Sequence, residues 1–187
     1  SWPWNRDRYA QLIEKLQGSG ASAIVFDIDF SATRPGDALF ADAIKESQIP
    51  VYLVRFQSEY EGLPGVIAEI APSEILSEHA KMITTLFPLE NDGGVRLMQP
   101  GTMFSDGWVP HLSVALSAKD FPESAKAIDF AFDLSALPTI SFTEALNAES
   151  FGDGLKGKVV FIGATANELG DEFTTPHLGR ISGIVLN

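Results

Sequence analysis

The sequence has no cysteine and is short of positive charge, with 13 Lys and Arg against 25 Asp and Glu in 187 residues. Without thiols there is neither a disulfide nor a thiolate metal site, and the chain suits the cytosol or an oxidising compartment equally. A formal net charge of -12 and a pI near 4.5 argue against nucleic acid as a partner, because phosphate recognition needs a basic face and the few cations are scattered. An anionic membrane surface is disfavoured for the same reason. No apolar run approaches the roughly 20 residues of a membrane span, and no signal peptide is visible. There is no internal repeat and no segment biased enough for a disordered tail or linker. What is present is 45% hydrophobic and 20% charged residues, enough for one globular domain over residues 1–187 with a substantial core.

The pattern of apolar residues alternates between helix and strand. Tyr9, Leu12, Ile13 and Leu16 recur at helical spacing after Asn5 or Asp7, either of which can cap, and Gly18 and Gly20 end the turn. Ser22 to Phe30 is a nearly continuous apolar run, the mark of a strand covered on both faces in a parallel sheet. A helix is predicted from near Asp37 with Leu39, Phe40, Ala43 and Ile44 inward, followed by a strand from Pro50 to Phe56. This is a βαβ unit. Glu59 to Pro64 reads as loop, Ser73 to His79 as a short helix, and Asn91-Asp92-Gly93-Gly94 as a turn into a strand from Val95 to Met98. Leu112 to Leu116 suits a helix, Ala127 to Phe132 a strand, and Ser141 caps a short helix through Leu146. Lys158 to Ile162, KVVFI, reads as another buried strand. The expected fold is a mixed α/β single domain, with a largely parallel central sheet, helices on both faces and a ligand-capable rim at the carboxyl ends of the strands.

Two stretches on that rim carry candidate chemistry. In AIVFDIDFS, Asp27 and Asp29 follow an apolar strand two residues apart, where carboxylates on one side of a pleated strand can share a divalent cation. The haloacid dehalogenase-like, magnesium-dependent phosphatases begin similarly. They also need an acid directly after a later strand's glycine; here Gly163 is followed by Ala164, and Asp171 and Glu172 come later. The bland alternative has Asp27 accepting hydrogen bonds from loop amides and Asp29 solvated or paired with Arg34. Gly163-Ala164-Thr165-Ala166 is a small-residue turn in which backbone amides can approach an anion. It lacks the Gly-Lys-Ser/Thr of a phosphate-binding loop, and the favoured reading is a tight turn with Thr165 bonding its own backbone. His79, His111 and His177 stand at no zinc-like spacing and read as satisfied surface or core histidines. Ser113 and Ser117 fall in the predicted helix without a nucleophile-elbow context.

In order along the chain, WPWNR at Trp2 to Arg6, AIVFDIDFS, NDGGVRLMQP at Asn91 to Pro100 and PHLSVAL at Pro110 to Leu116 are followed by LKGKVVFIGATANELGDEFTTP at Leu155 to Pro176 and ISGIVLN at Ile181 to Asn187. This order resembles the type 2 CHASE domain, the cyclase and histidine kinase associated sensory extracellular module, over essentially the whole chain. The resemblance implies an extracytoplasmic sensor in a bacterial membrane receptor, without enzymatic activity of its own. It implies flanking transmembrane helices and a cytoplasmic adenylate or diguanylate cyclase, phosphodiesterase or kinase. Asp29 stands where many relatives carry an apolar or small residue, and no ligand or cofactor transfers. The expected site is therefore Asp27, Asp29, Thr165 and Asp171, with a small molecule or ion as the signal. A structural dimerisation module is the other non-enzymatic reading. Because no long apolar stripe or heptad is visible, the isolated domain is expected to associate weakly or stay monomeric, and the full receptor to be a homodimer. Trp2 and Trp4 suit either a membrane interface or the core, with both termini facing the membrane. The stretch Ala164 to Arg180, with Gly170, Gly179 and Gly183 as hinges and Thr175-Pro176 as a stiff centre, is the expected transmitter.

Overall fold

In a computed structural model the described residues are 4–60, 63–117, 124–131, 133, 136–163, 172–176 and 178–186. The fold is mixed α/β with a mostly parallel central sheet, as the sequence pattern predicts. Two compact units make it up: unit 1 comprises Ser1–Val54, Ala71–Lys81 and Pro138–Ile162, and unit 2 comprises Arg55–Ile70, Met82–Leu137 and Gly163–Asn187.

Unit 1 opens with helix α1, Arg6–Gly18, which buries Tyr9, Leu12, Ile13 and Leu16 as its periodicity requires. Strand β1, Ala23–Asp27, is followed by helix α2, Asp37–Glu46, and by strand β2, Val51–Tyr60. Ile24, Val25 and Phe26 pair in parallel with Val51, Tyr52 and Leu53, so the βαβ unit is present. The sheet order is β3-β2-β1-β9, with β4, Lys81–Thr84, also pairing with β2; β3 is Leu63–Ile70 and β9 is Val159–Gly163. The short helix α3, Glu74–Ser77, lies where it was predicted, after Ser73. Aromatic rings fill the centre of unit 1: Tyr9 meets Phe26, Phe30, Phe40 and Phe142 at centroid distances of 5.3–5.7 Å, three of the four edge to face. Trp4 stacks on Phe142, which settles its place on the core; Trp2 lies outside the described residues.

Several boundaries differ from the expectation. β1 stops at Asp27, yet Ile28 and Phe30 remain buried, because irregular backbone also turns apolar side chains inward. On α2 the inward face is Asp37, Phe40, Ala41 and Ile44, while Leu39 is 60% exposed and Ala43 half-buried. Hydropathy favours Leu39 over Asp37; an ion pair reverses the choice and rotates the stripe. KVVFI is half-buried along its strand and not fully buried.

Unit 2 is built from hairpins. Of the predicted loop Glu59 to Pro64, Glu59 and Tyr60 end β2 and Leu63 and Pro64 open β3, with 61–62 outside the described residues; the two strands pair antiparallel, Phe56 facing Ile70 and Ser58 facing Ala68, and the register shifts between Glu59 and Tyr60. Gly62, Pro64 and Gly65 hide the strand in sequence, since all are weak strand formers. Strands β5, Leu97–Met98, and β8, Lys126–Ala127, are shorter than predicted; Val95 lies in an isolated bridge with Leu89 and donates its N–H to the Thr174 carbonyl at 2.9 Å, and Phe132 lies outside the described residues. Strands β6, Gly101–Phe104, and β7, Gly107–Pro110, form a tight hairpin. A Cβ on Gly101 would lie 2.4 Å from the Val109 carbonyl oxygen and 2.5 Å from the Trp108 ring, so only glycine fits there. Helix α4, Leu112–Leu116, follows; in unit 1, Ser141 caps helix α5, Phe142–Asn147, through a complete capping box with Glu144. Part of the expected transmitter loop is itself a hairpin: β10, Glu172–Thr175, pairs with β11, Gly179–Ser182, and the Thr175 hydroxyl donates to the Gly179 carbonyl at 2.9 Å. Gly183 opens the last turn, α6, Gly183–Leu186, and Gly170 lies outside the described residues. Val95, Phe130 and Ile181 form the small core beneath these strands.

Candidate functional site

The rim of unit 1 begins where β1 ends. Asp27 is its last residue and is half-buried, whereas Asp29 lies beyond the strand and is exposed. The Oδ1 atom of Asp29 accepts the backbone N–H of Ser31 at 2.8 Å, closing a local Asx turn. The two carboxylates therefore do not share one face of a pleated strand, and no ion pair joins Asp29 to Arg34 among the described residues. Nor do the described residues contain a group of three or more acids or histidines able to hold a metal. Thr165 and Asp171 lie outside the described residues.

The segment after β1 is fixed from below by a charge that sequence reasoning missed. Arg6, only 3% exposed, lies with Nε 2.9 Å from Oδ1 of Asp37 and donates through a terminal nitrogen to the Ala32 carbonyl at 3.0 Å. Its guanidinium also sits 4.4 Å from the centroid of the Phe30 ring, and Asp37 accepts from the Arg34 N–H at 2.8 Å. Burial lowers the Arg6 pKa, and the Asp37 charge opposes that shift. Burial likewise pushes Tyr9 up to about 12. Gly36, at φ 91°, lets the chain turn tightly over Arg6: a Cβ there would lie 3.1 Å from both the Arg6 Cβ and the Asp7 amide nitrogen. Nothing in the local sequence announces a pair 31 residues apart. An aspartate on an otherwise apolar helix face is the one available signal.

Unit 2 offers different chemistry. An open cleft of about 460 Å³ is lined by Arg96, the segment from Ala127 to Ala131, and Pro176. At its edge Arg96 binds Asp92 and Glu90, each at 2.7 Å. The Arg96 hydrogen bond holds Asp92 down at about 2, and the same contact raises the Arg96 pKa. Elsewhere, one terminal nitrogen of Arg55 reaches both oxygens of Asp106, at 2.7 and 2.9 Å, and its guanidinium stacks 4.2 Å from the Phe104 centroid. That hydrogen bond from Arg55 lowers the Asp106 pKa. The Asp106-Gly107 pair is a hairpin-turn signal that the sequence did carry.

His111 is a core histidine, 2% exposed, but it is not fully satisfied. Its Nδ1 accepts the Ser113 N–H at the start of α4 and lies 2.8 Å from the Ser113 hydroxyl, while Nε2 is buried without a hydrogen-bond partner among the described residues. Burial pushes its pKa down to about 4. A serine beside a histidine is the geometry of an activated nucleophile, yet this ring is sealed from any substrate. Ser117 is the C-terminal cap of α4, beyond its last turn, and His79 is half-buried. His177 lies outside the described residues.

Compared with known protein families, residues 1–187, the whole chain, match the model of the CHASE2 domain. The chain belongs to the CHASE2 family. CHASE2 domains are sensory extracellular domains of signalling receptors, not catalytic ones. No curated protein and no solved structure matches this CHASE2 domain. Among its described residues, no helix is long and apolar enough to cross a membrane.

Proposed function

We propose that this CHASE2 domain is the extracytoplasmic input of a membrane receptor, which recognises a small molecule or ion and regulates a cytoplasmic cyclase, cyclic-dinucleotide phosphodiesterase or kinase. The family match over the whole chain carries this reading. In it the domain is tethered by flanking membrane helices and works within a homodimeric receptor. The signal is read at the carboxyl end of β1, with Asp27 facing it and Asp29 beside it, and Thr165 and Asp171 are retained in the proposal as further ligand contacts. Strand ends of a largely parallel sheet support the choice, because helix and loop starts converge on such a rim. A second reading seats the ligand in the unit 2 cleft, which the observed volume beside Ile128, Phe130 and Arg96 favours.

A thermal-shift screen of metals, nucleotides, sugars and carboxylates tests both. A ligand at a hundredfold excess over its dissociation constant stabilises by about 2.7 kcal/mol, a readily measured shift. The first reading expects Asp27→Asn to weaken the response of a hit and Ile128→Ser to leave it intact; the second expects the reverse. A screen in which nothing shifts the melting temperature overturns both, as does a hit that neither variant affects.

A further inference from the structure

The unit 2 cleft has one wall in which burial alternates: Ala127, Asp129 and Ala131 are exposed, Ile128 is half-buried and Phe130 is buried. Ile128 packs against the cluster of Val95, Phe130 and Ile181, so this wall is anchored in the core of the unit. Pro176 adds a second apolar surface. A space of about 460 Å³ between such groups suits a small organic molecule better than a bare ion, and the described residues hold no cluster of metal ligands.

Among the described residues two charged groups line the cleft, and they stand in opposite conditions. The terminal nitrogens of Arg96 donate to Glu90 at 2.7 Å and to the two oxygens of Asp92 at 3.0 and 2.7 Å, so two carboxylates already answer its single charge. An anion arriving there meets those acids as well as the arginine. Asp129 is the reverse: its Oδ1 accepts the Ala131 N–H at 2.9 Å, which orients the carboxylate, but no Lys or Arg forms an ion pair with it among the described residues. Lys126 stands next to Ala127 and is not part of the lining. An acid on open surface is merely solvated, whereas this one is set beside apolar groups in a hollow.

We propose that the cleft takes an organic cation, a primary ammonium group carried on a short apolar chain or ring. This rests on the second reading, which seats the signal in the unit 2 cleft, and adds the chemical class of the ligand. The ammonium donates to the carboxylate of Asp129 while the apolar body lies against Ile128 and Pro176. The formal charge of -12 draws such a cation towards the protein and repels a carboxylate. Because the cleft is open, part of the ligand stays in water and the affinity is modest, with a dissociation constant on the order of 0.1–1 mM.

Primary amines therefore belong in the thermal-shift screen, together with compounds that share their apolar body and differ in charge. Phenethylamine, phenylalanine, 3-phenylpropionate and 2-phenylethanol form such a series: cation, zwitterion, anion and neutral alcohol. On the unmodified chain at low salt, phenethylamine should bind about tenfold or more tightly than each of the others. Asp129→Asn keeps an acceptor for the Ala131 N–H and removes the charge, and it should weaken the amine about tenfold. Ile128→Ser should weaken it as well. If the zwitterion, the acid or the alcohol binds as tightly as the amine and is lost in Ile128→Ser, the class is wrong and the cleft remains the seat of the ligand. An amine that needs Ile128 and ignores Asp129 likewise overturns the organic cation alone. An amine indifferent to both variants binds elsewhere and takes the cleft reading down with it. No response from any of the four at about 10 mM overturns the organic cation and leaves the cleft to the other compounds of the screen.

Discussion

In unit 1 Arg6 meets Asp37 inside the protein, roofed by Phe30 and hydrogen-bonded to the Ala32 carbonyl. In unit 2 Arg96 meets Asp92 and Glu90 in solvent, with side chains 39–57% exposed. The apolar surface is divided the opposite way. Of the eleven exposed large hydrophobic residues among those described, eight, including Val66, Ile67, Met103 and Trp108, belong to unit 2. Unit 1 gathers its aromatic rings in one interior cluster, whereas the buried apolar residues of unit 2 include Ile83, Leu112 and Val109 besides the cluster of Val95, Phe130 and Ile181. The difference teaches where rigidity and where recognition reside. A buried pair surrounded by rings fixes a loop, while an open cleft leaves surface for other molecules.

The sharpest test sets one arginine against the other. Arg6→Ala leaves the Asp37 charge buried without its partner, and unfolding by urea should show a loss of about 3–5 kcal/mol. Arg96→Ala should leave the urea midpoint where it was, because exposed pairs contribute little. Equal losses from the two would erase the contrast. Arg6→Met with Asp37→Leu should recover most of the stability lost in Arg6→Ala, since the desolvated charges then disappear together.

Acid should act on unit 2 through His111. Its pKa is depressed to about 4 in the fold against 6.5 unfolded, so between those values the unfolded chain binds a proton that the folded one refuses. This contribution is complete above pH 6.5, falls as the pH drops towards 4, and changes no further below that. The gap corresponds to about 3 kcal/mol. His111→Asn, which keeps an acceptor for Ser113, should lose this part of the pH dependence while retaining the part due to carboxylates. Parallel stability curves for the two proteins from pH 7 to 4 would show that the buried ring does not resist protonation.

The smallest effect belongs to a helix end. Ser141→Ala removes the hydrogen bonds of its hydroxyl with Glu144 at the start of α5 and leaves the backbone N–H of residue 141 donating to the Glu144 carboxylate, and the expected loss is about 1 kcal/mol. The same hydrogen bond holds the Glu144 pKa down, so the variant should also raise it, as carbon-detected titration of the carboxyl can check.

How far the sequence was legible depended on the range of the interactions involved. Tyr9, Leu12, Ile13 and Leu16 declare α1 because a helix face is periodic within a few residues, and Ser141 with Glu144 declares the cap of α5 within one turn. Leu39 misled because the position of α2 is set by Arg6, far back in the chain, and β3 stayed hidden behind Gly62, Pro64 and Gly65. Of the expected site, Asp27 was rightly put at a strand end. The turn formed by Asp29 with Ser31 depends on where the strand stops, which a nearly continuous apolar run from Ser22 to Phe30 does not reveal.

Lys15 of α1 donates its ammonium protons to the carbonyls of Leu146 and Ala148, 131 and 133 residues later, at the end of α5. With β9 ending later still, no amino-terminal stretch shorter than 162 residues holds all of unit 1. During synthesis at about 5–20 residues per second, the first helix and β1 wait many seconds for the elements that complete them. Assembly is thus governed by a late arrival and not by the order of translation. A chain interrupted between Val54 and Pro138 is left with an open sheet edge at β1 and an ammonium group without its carbonyls, features by which quality-control machinery can tell an unfinished copy from a finished one.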